Sequence, residues 1–435
     1  MKKIEHVVFV ESNLKGLEAL SVAKQMGYHV SLLRSPKYRS LYSIEGADSI
    51  LKNIDRIIEI PDSFAEQDLH QALQKLNEEE KIDILISLVE YCILPLSRAA
   101  SKLKIPYTSA EAVENASNKF KCRQILKLSG VASIKYKKVS ISGSEDANDL
   151  RQSFLQGALE IGLPVVIKPV RSAGSLFAAI IQNESDLDDY IKSYQEQDEI
   201  CGVKKEDLAN GGFLIEEYMQ GEMYSVDIGV NLADRIIFGI GERKRLRENE
   251  VIELGTCMPA NVSAEKYTIM GQYAIDVVNA LGLDLGIFHL EIIYTSEGPR
   301  LLEANPRMFG GNGPILISKS ANINIFEYLI KIHAQEICPK LPAGPGKCVV
   351  SRVFGKMEEK MHPALPLLAW KEKYRSSLIS FSIDQKKLAS TGKIKSNFDY
   401  IGAFQVQADN AKQATQIADD ILQDLSTELG IKLTT

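Results

Sequence analysis

Glu291, Glu303, Asn305 and Arg307 stand out in a stretch that is otherwise apolar. It reads Ile287-Phe-His-Leu-Glu-Ile-Ile-Tyr, breaks at Ser-Glu-Gly-Pro, and resumes Arg300-Leu-Leu-Glu-Ala-Asn-Pro-Arg307. Apolar, β-branched runs on both sides of a Gly-Pro break predict a β-hairpin. A turn centred on Glu297 sets Glu291 opposite Glu303 and His289 opposite Asn305. Side chains alternate along a strand, so these four polar groups share one face. Two carboxylates about 5 Å apart repel by roughly 3 kcal/mol at an effective dielectric near 20. A divalent cation between them removes that cost. Two carboxylates and one amide oxygen are hard ligands that leave positions for phosphate oxygens and water, which suits Mg²⁺, with Mn²⁺ as the alternative, better than Zn²⁺. Arg307, two residues beyond Asn305, is placed to meet charge developing on a transferring phosphoryl group.

The spacing Glu291, Glu303, Asn305, Arg307 resembles the metal signature of the ATP-grasp superfamily. The resemblance implies an ATP-grasp fold with Glu291, Glu303 and Asn305 as metal ligands, and it implies further parts elsewhere in the chain. Lys119 opens a helical stretch behind Asn118, a plausible N-cap, where a cation is unfavourable for the helix dipole. Lys168 ends the apolar run Val165-Val-Ile-Lys, just before Arg171-Ser-Ala-Gly-Ser175. By resemblance both lysines reach nucleotide phosphates. Residues 171 to 175, with Ser172, Gly174 and Ser175, would form a lid whose backbone can approach phosphate oxygens closely. Phe213-Leu-Ile-Glu-Glu-Tyr-Met219 is a further apolar strand. Glu216, Glu217, Tyr218 and Met219 match the family's purine hinge, and Glu222 its ribose contact.

The surrounding chain must position these groups. Alternating strand and helix signals over the first hundred or so residues, from the strand His6–Val10 onward, predict an open parallel α/β sheet. Its first turn, Glu-Ser-Asn-Leu-Lys-Gly, carries no dinucleotide fingerprint. The expected class is α/β. It comprises an N-terminal Rossmann-like domain over 1–112, an ATP-grasp domain of two lobes clamping ATP over 113–335, and a smaller C-terminal α+β region over 336–435. The stretch Gly-Glu-Arg-Lys-Arg-Leu-Arg ending at Arg247 reads either as a solvated loop or as a clamp for a substrate anion. His289 reads either as a site contact or as a structural histidine.

A net charge of −6 without a dominant basic stripe argues against a nucleic-acid partner. The six cysteines are scattered singly, without a Cys-x-x-Cys pair, as free thiols of a reducing cytoplasm are. Glu5, His6 and Glu11 interrupt any signal-peptide pattern, and no apolar run is long enough to span a membrane. Within the superfamily, the Val-Glu-Ser-Asn start, the Ser-Ala-Gly-Ser lid and Phe-His-Leu-Glu resemble the carboxylate-amine ligases, of the L-amino-acid ligase and dapdiamide-synthetase kind. That resemblance implies phosphoryl transfer from ATP to a small carboxylate, then attack by an amine, with Lys168 and Arg307 as catalytic groups. It is compatible with a homodimer. Bicarbonate activation of the carboxylase or carbamoyl-phosphate type, and a nucleotide-binding scaffold without turnover, stay open as alternatives.

Overall fold

The computed structural model describes residues 5–435 apart from 14–15, 43–45, 142–145, 173, 197–198, 201–202, 205–210, 232–233, 345, 363–369 and 391. Cys201 and lid residue 173 therefore lie outside the described residues. Strands β1 (His6–Val10), β2 (His29–Arg34), β3 (Arg56–Glu59) and β4 (Ile84–Ile86) form a parallel sheet in the order β3-β2-β1-β4. Every residue of β1 is buried, as a strand covered on both faces requires. The helix Glu66–Glu79 shows how the covering works. Leu69, Leu73 and Leu76 recur at helical spacing and are the residues it buries, each worth roughly 1.5–3 kcal/mol when removed from water.

Asn118 caps the helix Lys119–Leu128 by accepting from the Lys121 N–H, which fixes where Lys119 leaves the chain. The next sheet is antiparallel, in the order β5-β10-β6-β7, from β5 (Tyr136–Val139), β6 (Val165–Pro169), β7 (Ala179–Ile181) and β10 (Phe213–Glu217). A two-stranded hairpin, β8 (Glu199–Ile200) and β9 (Val203–Lys204), lies between β7 and β10 in sequence.

The largest sheet has eight strands in the order β15-β14-β11-β12-β13-β16-β18-β17, all antiparallel. Its members are β11 (Glu222–Asn231), β12 (Asp234–Leu246), β13 (Asn249–Met258), β14 (Leu285–Thr295), β15 (Gly298–Asn305), β16 (Cys348–Phe354), β17 (Leu378–Ile383) and β18 (Gly402–Ala408). Because β16 pairs with β13, the sheet runs on past residue 336 into the C-terminal region. The basic stretch before Arg247 is not a loop. Strand β12 continues through Leu246 and pairs with β13, where Arg243 meets Glu253 and Arg245 meets Glu250, while Lys244 reaches Asp419 on the helix Ala411–Leu429.

One hydrophobic cluster joins Val7, Phe9, Leu17 and Leu20 of the first sheet and its helix to Leu316, Ile317, Phe326 and Leu329 from the helices Gly313–Ala321 and Ile325–His333. The N-terminal layer is thereby packed against the segment that follows Arg307. Among the described residues no helix is long and apolar enough to cross a membrane.

Candidate active site

Strands β14 and β15 pair Glu291 with Glu303 and His289 with Asn305. The turn is tighter than a centre at Glu297 implies, since Thr295 pairs with Gly298 and Ile292 with Leu301. A β-bulge between Glu291 and Ile292 inserts Leu302 and shifts the register by one. Were Leu302 paired within the ladder rather than bulged out of it, Glu303 would oppose Leu290, which is fully buried, and would point to the core face. The carbonyl of Leu302 accepts from Arg123 Nη2 at 2.9 Å and from Lys168 Nζ at 3.5 Å. The bulge that brings Glu303 to the site also ties it to the two cations behind it.

Glu303, Glu291, Lys119, Lys168, Ser172, Ser175 and the hinge residues Glu216 to Met219 line one cavity. It holds about 850 Å³ of empty space, counting the solvent at its open mouth. Lys119 is buried and donates to the Ser172 carbonyl at 2.7 Å while pairing with Glu303 Oε1 at 2.8 Å. Burial pushes the Glu291 carboxyl up, but the His289 hydrogen bond and the charges of Arg243, His289 and Arg307 outweigh it and hold it at about 2. Protein cations flank both acids, Lys119 at Glu303 and the Arg243, His289 and Arg307 group at Glu291. Asn305 Oδ1 is 3.5 Å from Arg307 Nη2. Two carboxylates and an amide oxygen on one face of the hairpin, with both carboxylates lining the cavity that Lys119 and Lys168 also line, fit Mg²⁺ or Mn²⁺, which take hard oxygen ligands.

Glu216 has a different position from a free purine contact. It is buried, with Oε1 2.7 Å from Arg123 Nε and Oε2 2.7 Å from Lys168 Nζ. Burial raises its pKa and the two cations more than reverse that, leaving it lowered. Burial lowers the Lys168 ammonium, helped by Arg123 and Lys119 and opposed by Glu216. Glu217 accepts from the Lys135 N–H at 2.9 Å, and the Tyr218 N–H donates to the Pro164 carbonyl at 3.1 Å. The Met219 N–H has no partner among the described residues. Glu222 does not line this cavity; it is mostly exposed and is bound by Lys266 at 2.6 Å and Tyr224 at 2.8 Å. Glu250 lines the cavity instead, held by Arg245 at 2.9 Å and by the Tyr218 hydroxyl at 2.7 Å. Gly174 and Ser175 both take left-handed backbone angles, φ 66° and 60°, and a side chain on Gly174 would press on the Phe398 ring at 3.2 Å.

Beyond the hairpin end, the Arg307 Nε pairs with Glu90, the first residue of the helix Glu90–Leu103 in the N-terminal layer. His289 is buried, stacks on Phe309 at 4.0 Å and bonds the buried Asp227 through Nδ1 at 3.0 Å. Burial lowers its pKa, but Asp227 and Glu291 more than reverse this. The Arg243 guanidinium lies 5.0 Å from the other ring contact, Phe309, and pairs with Glu253 while its Nε and Nη1 are buried without partners among the described residues. Arg123, Asp227, Glu250 and Glu90 escaped the sequence reading. Arg123 had a signal, since it lies four residues after Lys119 on one helix face. Asp227 becomes visible only once β11 is registered on β14, and nothing local marks Glu90.

Residues 161–314 match the family model of the ATP-grasp domain. The alanine–anticapsin ligase of Bacillus subtilis (strain 168) is 24% identical over 317 residues, covering 70% of this chain and 64% of that protein. The dapdiamide A synthase of Enterobacter agglomerans is 29% identical over 205 residues, covering 46% and 45%. The chain spans about half to two thirds of the length of the curated relatives it matches. The crystal structure of an L-amino acid ligase from Bacillus licheniformis superposes with a TM-score of 0.73 at 15% identity, covering 97% of this chain and 98% of that one. Residues 161–314 thus carry an ATP-grasp domain match, and the chain shares the fold of that crystal structure over nearly its whole length.

Proposed function

We propose that the protein is an ATP-dependent carboxylate-amine ligase that joins two small substrates, amino acids by preference, and releases ADP and phosphate. ATP would lie in the cavity with its base at the Met219 N–H and its phosphates toward Lys119 and Lys168. Glu291, Glu303 and Asn305 would hold Mg²⁺, which when bound screens the charge of the phosphates. A substrate carboxylate oxygen attacks the γ-phosphorus; the new P–O bond forms as the bond to the bridging oxygen breaks and ADP leaves. Arg307 meets the charge on the transferring group. The amine nitrogen then attacks the acyl carbon, phosphate departs with the electron pair of the C–O bond, and the nitrogen gives up a proton to complete the amide. Closure of the 171–175 segment would keep water from the acyl phosphate.

The observation that carries the reading is the junction at Arg307. It links the ligand hairpin to Glu90 of another layer, and it shares its influence on Glu291 with Arg243, whose Nε and Nη1 are buried without partners among the described residues. For a zwitterionic substrate, Arg243 would take the carboxylate and Glu90, exchanging its contact with Arg307, the ammonium. The test is ADP release with pooled amino acids, with products identified by mass spectrometry. Release that needs both a carboxylate donor and an amine acceptor is expected, with a product one water lighter than the sum of the two. Release driven by bicarbonate alone would point to carboxylase-type activation, and no release with any pool would leave a nucleotide-binding scaffold.

A further inference from the structure

The first sheet carries a second constellation at the opposite end of its strands from Glu90. Strands β1 and β2 begin in register, His6 opposite His29, and neighbouring strands about 4.8 Å apart bring same-face side chains into contact. The two imidazole centroids are 5.1 Å apart. Glu80, in the turn between the helix Glu66–Glu79 and β4, completes the group. Its Oε1 is 2.7 Å from His29 Nδ1 and 3.9 Å from His6 Nδ1. One ligand atom from each of the three lies within 4.8 Å of the others.

The independent sign of a ligand is the state of His6. It is 1% exposed, and its Nδ1 has no hydrogen-bond partner among the described residues. Its Nε2 is satisfied by Ser31 Oγ at 2.8 Å. A buried polar atom without a partner costs roughly 1–3 kcal/mol, yet this one faces a carboxylate and a second imidazole. If Nε2–H donates to Ser31, the Nδ1 lone pair is directed at the cluster, the arrangement in which an outer hydrogen bond fixes a metal-ligating histidine. Asp83 accepts from the backbone N–H of Glu5 at 3.0 Å and of His6 at 3.3 Å, fixing the strand start that carries the ring.

We infer that His6, His29 and Glu80 form a site for a borderline divalent cation, Zn²⁺, held by two imidazole nitrogens and one carboxylate oxygen with a fourth position open to water. Zn²⁺ bonds of about 2.0–2.1 Å in tetrahedral geometry set ligand atoms roughly 3.3 Å apart, between the two separations present here. Nitrogen ligands select against Mg²⁺, so the site is chemically distinct from the oxygen-lined cavity. None of the three residues lines that cavity. A bound ion would clasp the starts of β1 and β2 to the turn that precedes β4.

The experiment uses the untagged full-length chain in excess Mg²⁺, titrated with Co²⁺ and then Zn²⁺. One equivalent of Co²⁺ giving tetrahedral visible bands without a thiolate charge-transfer band, displaced by Zn²⁺, is expected. Ser31→Ala, which keeps all three ligands, should weaken Zn²⁺ binding by about 10–100-fold. His29→Ala and Glu80→Gln, at partly exposed positions that leave the core intact, should weaken it further and abolish the rise in melting temperature that Zn²⁺ gives the parent. Unchanged Zn²⁺ affinity in His29→Ala, a thiolate band, or no saturable binding would each overturn the assignment.

Discussion

Glu216→Gln separates two roles for the same residue. As a purine contact it would cost nucleotide affinity and little stability. As the anion between two buried cations it should cost stability first. Both oxygens sit 2.7 Å from a cation, and the side chains of Arg123, Glu216 and Lys168 are only 1%, 2% and 7% exposed. With charge centres about 4 Å apart, each pair is worth roughly 4 kcal/mol at an effective dielectric of 20. Removing the shared carboxylate strands two cations out of water, and breaking such a pair costs roughly 3–5 kcal/mol. The pH dependence carries the sharper test. Burial already holds Lys168 below the ordinary lysine value, and Glu216 is what pulls it back up. The variant should lower it further. A lysine depressed in the fold binds fewer protons there than in the unfolded chain, so stability rises with pH between its folded value and its ordinary one. The deficit of Glu216→Gln, measured by denaturant midpoint from pH 6 to 9 (about the range accessible before carboxylates or alkali intervene), should therefore shrink as pH rises. Adding Arg123→Met should recover part of it. A variant as stable as the parent at every pH, with nucleotide affinity alone reduced, would refute the buried-anion argument.

Glu303→Gln should stay folded with a lowered melting temperature, because the buried Lys119 loses its carboxylate partner, and should lose Mn²⁺ binding and at least about 100-fold of ADP release, as loss of a charge-stabilising group does; parent-like turnover would remove Glu303 from the metal set. Deleting Leu302 should leave Glu303 opposite Glu291 in an uninterrupted ladder while removing the carbonyl that accepts from Arg123 and Lys168, so Mn²⁺ binding should survive with a lowered melting temperature; lost binding at parent-like stability would show that the bulge itself places the carboxylate. Burial alone holds His333 down at about 4. Its neutral form contributes stability that is complete above the unfolded value near 6.5 and is lost as pH falls toward 4, a loss of roughly 3 kcal/mol. His333→Phe should flatten the slope of stability between those pH values, and an unchanged slope would show that another group sets it.

The sequence by itself determined what depends on local pattern. The continuous apolar run of β1, the leucine stripe of the helix Glu66–Glu79, the Asn118 cap and the pairing of Glu291 with Glu303 all follow from spacing, because a few adjacent residues fix the backbone there. Even so, the pairing came about through a tighter turn and a bulge, since an inserted residue shifts register without leaving a mark in composition. Tertiary structure alone decided which charges neutralise which. Glu216 reads as a hinge acid in a strand and becomes a buried counter-ion only when Arg123 and Lys168 arrive from a helix and another strand. Glu222 is drawn off by Lys266, and Glu250 takes its place at the cavity. Glu90 meets Arg307 across two layers. Side-chain charge is a property of position in space, and the energy of each ion pair depends on burial and distance that no linear spacing encodes.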